Sequence, residues 1–188
     1  MAIKKITTPL NERDARSLRM GDEVLITGPI LIGRDAAHKR LAAALEQHGA
    51  APVDLNGQVI YYAGPTPAKP GRVIGSAGPT TSGRMDPYTP QLIRQCGLKG
   101  MIGKGPRNQA VKDAMKERGC VYFVATGGAA AMLARAVRKS TPLLYEELGP
   151  EAVCRLEVED FPAVVATDCE GNDLYEEGPK KYKKGNAI

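Results

Sequence analysis

The chain has 188 residues, 43% hydrophobic and 25% charged, with two Phe, seven Tyr and no Trp. That is enough apolar material for one good core, and a mean hydropathy of -0.27 fits a soluble globular protein rather than a disordered tail or a fibre. The formal charge of +5 invites a nucleic-acid partner, but Lys180, Lys181, Lys183 and Lys184 lie in the final ten residues, which hold no acid, and only +1 remains without them. The basicity therefore reads as a solvated tail at about 179–188, with no aromatic stacking motif beside it, and nucleic acid is not the expected partner. No apolar run reaches the length of a membrane span. The opening MAIKKITTPLNERD lacks the apolar stretch of a secretory signal, so a cytoplasmic address is expected.

In chain order, Glu23 to Thr27 (EVLIT) reads as a strand, GPILIGR as a turn, and Asp35 to His48 as a helix. Asp35 can cap its first turn, Ala37, Leu41, Ala44 and Leu45 recur at helical spacing, and Gly49 suits the stop. QVIYYAG and GRVIGSAG, broken by PTPAKP, read as short strands of a sheet or barrel layer. Thr89 followed by Pro90 begins a helix that Gly97 ends. LKGMIG is a strand, Asn108 to Arg118 a helix closed by Gly119, and VYFVA a buried strand, so these three make a crossover unit with parallel strands. Gly127-Gly128 opens an alanine-rich helix to about Val137. The stretch AVCRLEVEDFPAVVATDCEGNDLY reads as two strands joined at FP and closed by the EGND turn. No repeat or long linker divides the chain, so one mixed α/β domain is expected.

The segment GPTTSGRMDPYTP (78–90) can be neither a regular helix nor a central strand and must be a loop at a strand end, where α/β sheets place ligands. Its Gly-rich backbone can face an anion, and Arg84 offers a fork for a carboxylate. Arg34 stands just before the Asp35 helix, where the helix N-terminus adds its own positive influence. Lys104 in GMIGKGPR ends a strand, but Leu98 and Gly105 break the phosphate-loop pattern. His38 sits at the edge of an apolar helix face and suits a structural role as well as proton transfer. Cys96, Cys120, Cys154 and Cys169 show no CxxC pair and read as ordinary buried thiols, so no metal ligand is assigned in this chain. Three cations on Gly-containing loops, with the hydroxyls of Thr80, Thr81 and Ser82, suit a small dicarboxylate. Solvated cations on ordinary connections are the simpler reading of composition alone.

GPILIGRDAAHKR, GPTTSGRMD, the IGKG loop, EVEDFPAVV and GND, in this order and spacing, resemble the class I, iron-sulfur-dependent fumarases, in the form of a β subunit equivalent to their C-terminal domain. The resemblance implies reversible hydration of fumarate to (S)-malate with a [4Fe-4S] cluster bound by a partner α subunit, and a swivelling β/β/α domain over the whole chain, 1–188. It implies Thr80 as the catalytic base, with Arg34, Arg84 and Lys104 binding the substrate and His38 in the same pattern. A higher-order hetero-oligomer is expected. The related L-tartrate dehydratase β subunit is the alternative, and a non-catalytic dicarboxylate-binding domain a second one.

Overall fold

The computed structural model describes residues 3–183. In chain order it contains β1 (Lys4–Thr7), α1 (Glu12–Ser17), β2 (Glu23–Ile32), α2 (Asp35–His48), β3 (Val59–Tyr61), α3 (Thr89–Cys96), β4 (Gly100–Gly103), α4 (Gln109–Arg118), β5 (Val121–Val124), α5 (Ala130–Leu133), β6 (Val137–Leu144), β7 (Val153–Thr167) and α6 (Leu174–Tyr182). Short 3-10 turns at Ser82–Met85, Ala134–Ala136 and Glu146–Glu151 lie between them. The result is a single mixed α/β domain.

Strands β2, β3, β4 and β5 run parallel and side by side. Strand β7 runs antiparallel to both ends of this row, pairing with β2 along its length and with β5 through Tyr122, Phe123 and Val124. The sheet thus closes into a ring, with β1 attached to the first half of β2 and β6 to the first half of β7. Strand alternation then builds two cores. Val59, Tyr61, Ile102, Val121 and Phe123 point into the ring against Ile26, Ile30, Leu156 and Phe161. Ile60, Tyr62, Met101 and Tyr122 point outward against Leu41 and Leu45 of α2, Leu92 and Ile93 of α3, and Val111, Ala114 and Met115 of α4. With both faces covered, β3, β4 and the start of β5 are buried throughout.

The helix at Asp35–His48 and the crossover unit fold as the sequence predicts, and Gly49, Gly97 and Gly119 take left-handed C-caps. Asn108 caps α4 through its side chain, whereas Asp35 is the first helical residue of α2 and Arg34 holds the cap position without a side-chain bond. Several expectations are corrected. GPILIGR is no turn: β2 continues to Ile32, with a register shift at Gly28, whose φ of 118° and approach to Thr8, 2.7 Å from a notional Cβ to the Thr8 carbonyl oxygen, only glycine permits. GRVIGSAG forms no strand; residues 66–76 make an irregular arm. The alanine-rich helix shrinks to α5 and a 3-10 turn, because β6 begins at Val137 to pair with β7. The two strands expected at FP are one strand bent at Asp160, which adopts a φ of 49°. Part of the supposed basic tail is helix α6, and Lys184 and the residues after it lie outside the described residues.

Phe161 is fully buried inside the ring and meets Tyr61 edge-on at 5.3 Å. Phe161→Ala is expected to lower the unfolding free energy by about 3–5 kcal/mol in urea titrations, with an unchanged fold in the variant that remains native.

Candidate functional site

The carboxyl ends of the parallel strands gather the predicted residues. Arg34 follows β2, Thr80 and Arg84 lie on the chain after β3, Lys104 follows β4, and Gly127-Gly128 follows β5. Residues 80–82 are spliced into the sheet between the ends of β3 and β4. The Thr80 N–H donates to the Tyr62 carbonyl (2.7 Å), the Lys104 N–H to the Thr80 carbonyl (3.2 Å), and the Ser82 N–H to the Lys104 carbonyl (2.8 Å). Thr81 and Lys104 form a parallel bridge, so the two motifs GPTTSGR and IGKG are held in fixed register. Thr80 is half-buried, and Lys104 is exposed, its stem over Gly127 and without an ion pair among the described residues.

Arg34 and Arg84 both reach the N-terminus of α2. Arg34 Nη2 lies 3.0 Å from Glu151 Oε1, and Glu151 Oε2 accepts the Ala36 N–H (2.9 Å). A carboxylate therefore already sits where a helix N-terminus and a guanidinium meet, the arrangement expected for anion binding. Gly64 makes room for this guanidinium, since a Cβ there would stand 2.7 Å from Arg34 Nε. Arg84 Nη2 is 2.7 Å from Asp35 Oδ2 and more than half exposed, at 55%. Its aim is thus set by an acid on the first turn of the same helix.

His38 is fully buried one turn into α2 and packs edge-on against Tyr62, with ring centroids 5.0 Å apart. Its Nδ1 faces the Arg34 carbonyl at 3.0 Å, and because a carbonyl only accepts, the proton sits on Nδ1. Nε2 is left without a partner. Burial, with an added push from Arg107, lowers the His38 pKa to about 4, so the ring is neutral near pH 7. A ring so enclosed, bonded through Nδ1 to the Arg34 carbonyl, holds the Arg34 backbone in place.

Beneath the loop lies an element the sequence reading missed. The Arg107 side chain is wholly buried between the rings of Tyr62 (5.3 Å) and Tyr122 (5.1 Å). It donates to Asp86 Oδ1 (2.7 Å) and Thr89 Oγ1 (3.0 Å), and Asp86 Oδ2 accepts the Asn108 N–H (2.8 Å). This clamp fastens the GPTTSGRMD loop to the residues just after IGKG. The other side of IGKG is fastened too: Tyr122 donates to the Gly105 carbonyl (2.8 Å) and accepts from Ser82 (2.9 Å), while the Gly105 N–H donates to Tyr175 of α6 (2.7 Å). Arg107 stands three residues after Lys104, and that proximity was the signal available in the sequence.

Cys120 and Cys169 are buried and Cys96 and Cys154 half-buried, all as free thiols. Burial raises the Cys169 pKa to about 11 and pushes Cys120 up as well, away from the thiolate a metal requires. Among the described residues no three His, Cys, Asp or Glu side chains are grouped to hold a metal ion. A three-cysteine cluster site does not fit this chain.

Residues 2–178 match the family model described as Fumarase C-terminus. The chain belongs to that family. It is 44% identical over 153 residues to the aerobic class I fumarate hydratase of Escherichia coli K12, covering 81% of this chain and 28% of that protein. To the putative class I fumarate hydratase of Geobacillus stearothermophilus it is 42% identical over 176 residues, 92% of this chain and 33% of that one. To the putative L(+)-tartrate dehydratase subunit beta of Methanocaldococcus jannaschii it is 39% identical over 185 residues, 95% of each. The chain thus spans about a third or less of the fumarate hydratases cited and nearly all of the tartrate dehydratase subunit.

Two outcomes are expected. Arg107→Met leaves Asp86 buried beside an apolar side chain and is expected to cost about 3–5 kcal/mol in denaturant unfolding, as breaking a buried ion pair does. For His38, the unfolded ring protonates near 6.5 and the folded one only near 4, so stability is full above about 6.5 and falls as the pH drops toward 4. The urea midpoint of the wild type is therefore expected to drop more between pH 7 and pH 5 than that of His38→Gln.

Proposed function

We propose that this chain is the β subunit of a two-subunit hydro-lyase that reversibly hydrates fumarate to (S)-malate, with the domain spanning 1–188. The observation that carries this reading is the meeting of Arg34, Thr80, Arg84 and Lys104 at one edge of a sheet in a chain of the fumarase C-terminus family. Arg34 and Arg84 are assigned to the substrate carboxylates, since paired guanidinium N–H groups match carboxylate geometry. Lys104, an exposed ammonium without an ion pair among the described residues, supplies further positive charge to the same anionic ligand.

Thr80 is assigned the proton transfer. In the direction of dehydration its alkoxide takes the proton from C3 of malate as the hydroxyl leaves C2; in hydration the hydroxyl returns that proton. A threonine hydroxyl is a weak base, so the step depends on nearby cations to stabilise the alkoxide, and the backbone register that ties Thr80 to Lys104 supports that role. His38 is assigned a positioning role, through its bond to the Arg34 carbonyl. The iron-sulfur cluster implied by the resemblance is assigned to the partner α subunit, in accord with the poor fit of this chain's cysteines. That arrangement implies a hetero-oligomer. The parallel layer, the antiparallel β6-β7 layer and the flanking helices support the swivelling β/β/α description. No described helix is long and apolar enough to cross a membrane, which accords with the cytoplasmic address proposed here.

L-tartrate dehydration is the second reading, favoured by the 95% coverage of the Methanocaldococcus jannaschii subunit. Both substrates are small dicarboxylates, and assays of the assembled complex on fumarate and on L-tartrate separate them. The chain alone is expected neither to hydrate fumarate nor to dehydrate L-tartrate.

In the complex, Arg34→Ala and Arg84→Ala are each expected to lower kcat/KM by the equivalent of about 2–5 kcal/mol with little change in fold. Thr80→Val is expected to lower kcat by roughly 100- to 10,000-fold and to abolish deuterium exchange at C3 of malate, while Thr81→Val retains both. Normal exchange in Thr80→Val would remove Thr80 from the role.

A further inference from the structure

A groove of about 530 Å³ opens beside the candidate site. One wall is the irregular arm from Thr66 to Ser76; the other runs from Ala131 through the 3-10 turn to Arg138 at the start of β6. Lys69 and Arg72 stand on the first wall, Arg135 and Arg138 on the second, all four exposed. Among the described residues no carboxylate lines the groove. Arg138 pairs with Glu159 outside it (2.8 Å), and the other three cations have no ion pair among the described residues. One exposed apolar side chain, Val73, lies in the groove with them.

The closed end of the groove lies next to the loop that carries Thr80. Its walls join where the Ala77 N–H donates to the Ala130 carbonyl (3.2 Å) and Gly78 packs on Ala130, two residues before Thr80. The Tyr61 hydroxyl, donating to the Ala77 carbonyl (2.7 Å), anchors that junction to the ring. Beyond the junction the arm has little structure of its own. Thr66 and Ser76 exchange two hydrogen bonds, and the Arg72 N–H donates to the Lys69 carbonyl. Clustered cations repel one another unless a negative occupant relieves them. An outward-open groove walled by exposed side chains suits an extended chain segment better than a small molecule, which is held in an enclosing pocket.

We propose that this groove is the docking surface for an acidic segment of the α chain that completes the site. The proposal rests on the two-subunit reading above. It explains why uncompensated charge lies outside the residues assigned to substrate, on arms leaving the carboxyl ends of β3 and β5. An α chain reaching the Thr80 edge passes over this groove.

The test is a titration of the full β chain with its purified α chain at low and high salt, followed by steady-state kinetics at saturating α. Arg72→Glu/Arg135→Glu is expected to weaken association at least about tenfold and to flatten its salt dependence. Lys69→Glu, on the exposed arm, is expected to act in the same direction, and thermal melts establish that each variant is folded. At saturating α, kcat and KM are expected to return to wild-type values, because these residues do not touch substrate. Wild-type association and salt dependence in the folded double variant would overturn the proposal while leaving the two-subunit reading intact. So would a loss of kcat that persists at saturation, or saturable binding of inorganic phosphate to the β chain that the double variant loses while its α association is unchanged. Failure of the wild-type chains to associate would overturn both readings.

Discussion

A row of parallel strands ends in two edges of unpaired N–H and C=O groups, and everything in this molecule follows from how those edges are closed. Strand β7 is long enough, at 15 residues, to hydrogen-bond β2 on one side and, at its end, β5 on the other. The closure gives the ring an inside, so that alternate residues of β3, β4 and β5 fill an inner core while their neighbours bury the helices. It also fixes the carboxyl ends of β2 to β5 against one another, which is the precondition for a site assembled from four separate loops.

Rigid strand ends do not by themselves hold the loops that leave them. Here the loops are held by backbone and by charge. Residues 80–82 hydrogen-bond between Tyr62 and Lys104, and the buried Arg107 guanidinium, which needs its donors satisfied, recruits Asp86 and Thr89 from the same loop. Each candidate substrate arginine is aimed by an acid of its own chain, Arg34 by Glu151 and Arg84 by Asp35. Such supports keep polar side chains in place before a ligand arrives, and preorganisation of that kind is what electrostatic catalysis draws on. The chain gathers cations at its strand ends and disperses its cysteines.

Much of this was legible in the amino-acid string. Helix α2 and the β4-α4-β5 crossover announced themselves through helical spacing, caps and terminal glycines, all local signals. The Gly- and Pro-rich run at 78–90 marked a loop at a strand end for the same reason: its residues disfavour a strand or a long helix. Motif order and spacing pointed to the family, and to Arg34, Thr80, Arg84 and Lys104. The failures were equally physical. Pro29 and Gly28 read as a turn, yet β2 runs through them because β7 supplies a partner along the whole strand. Val137 to Leu144 carried no strand reading, yet pairs with β7 across the chain.

Sequence by itself determined which segments can be helix, strand or loop and which side chains could meet an anion, since propensity, capping and motif spacing act over a few residues. Tertiary structure alone decided that the sheet closes, that Glu151 reaches Arg34 from 117 positions along the chain, that His38 is buried and neutral, and that Arg107 lies beneath the loop. These outcomes depend on distant groups satisfying one another's hydrogen bonds and charges once water is excluded, and no local pattern records which distant groups will meet.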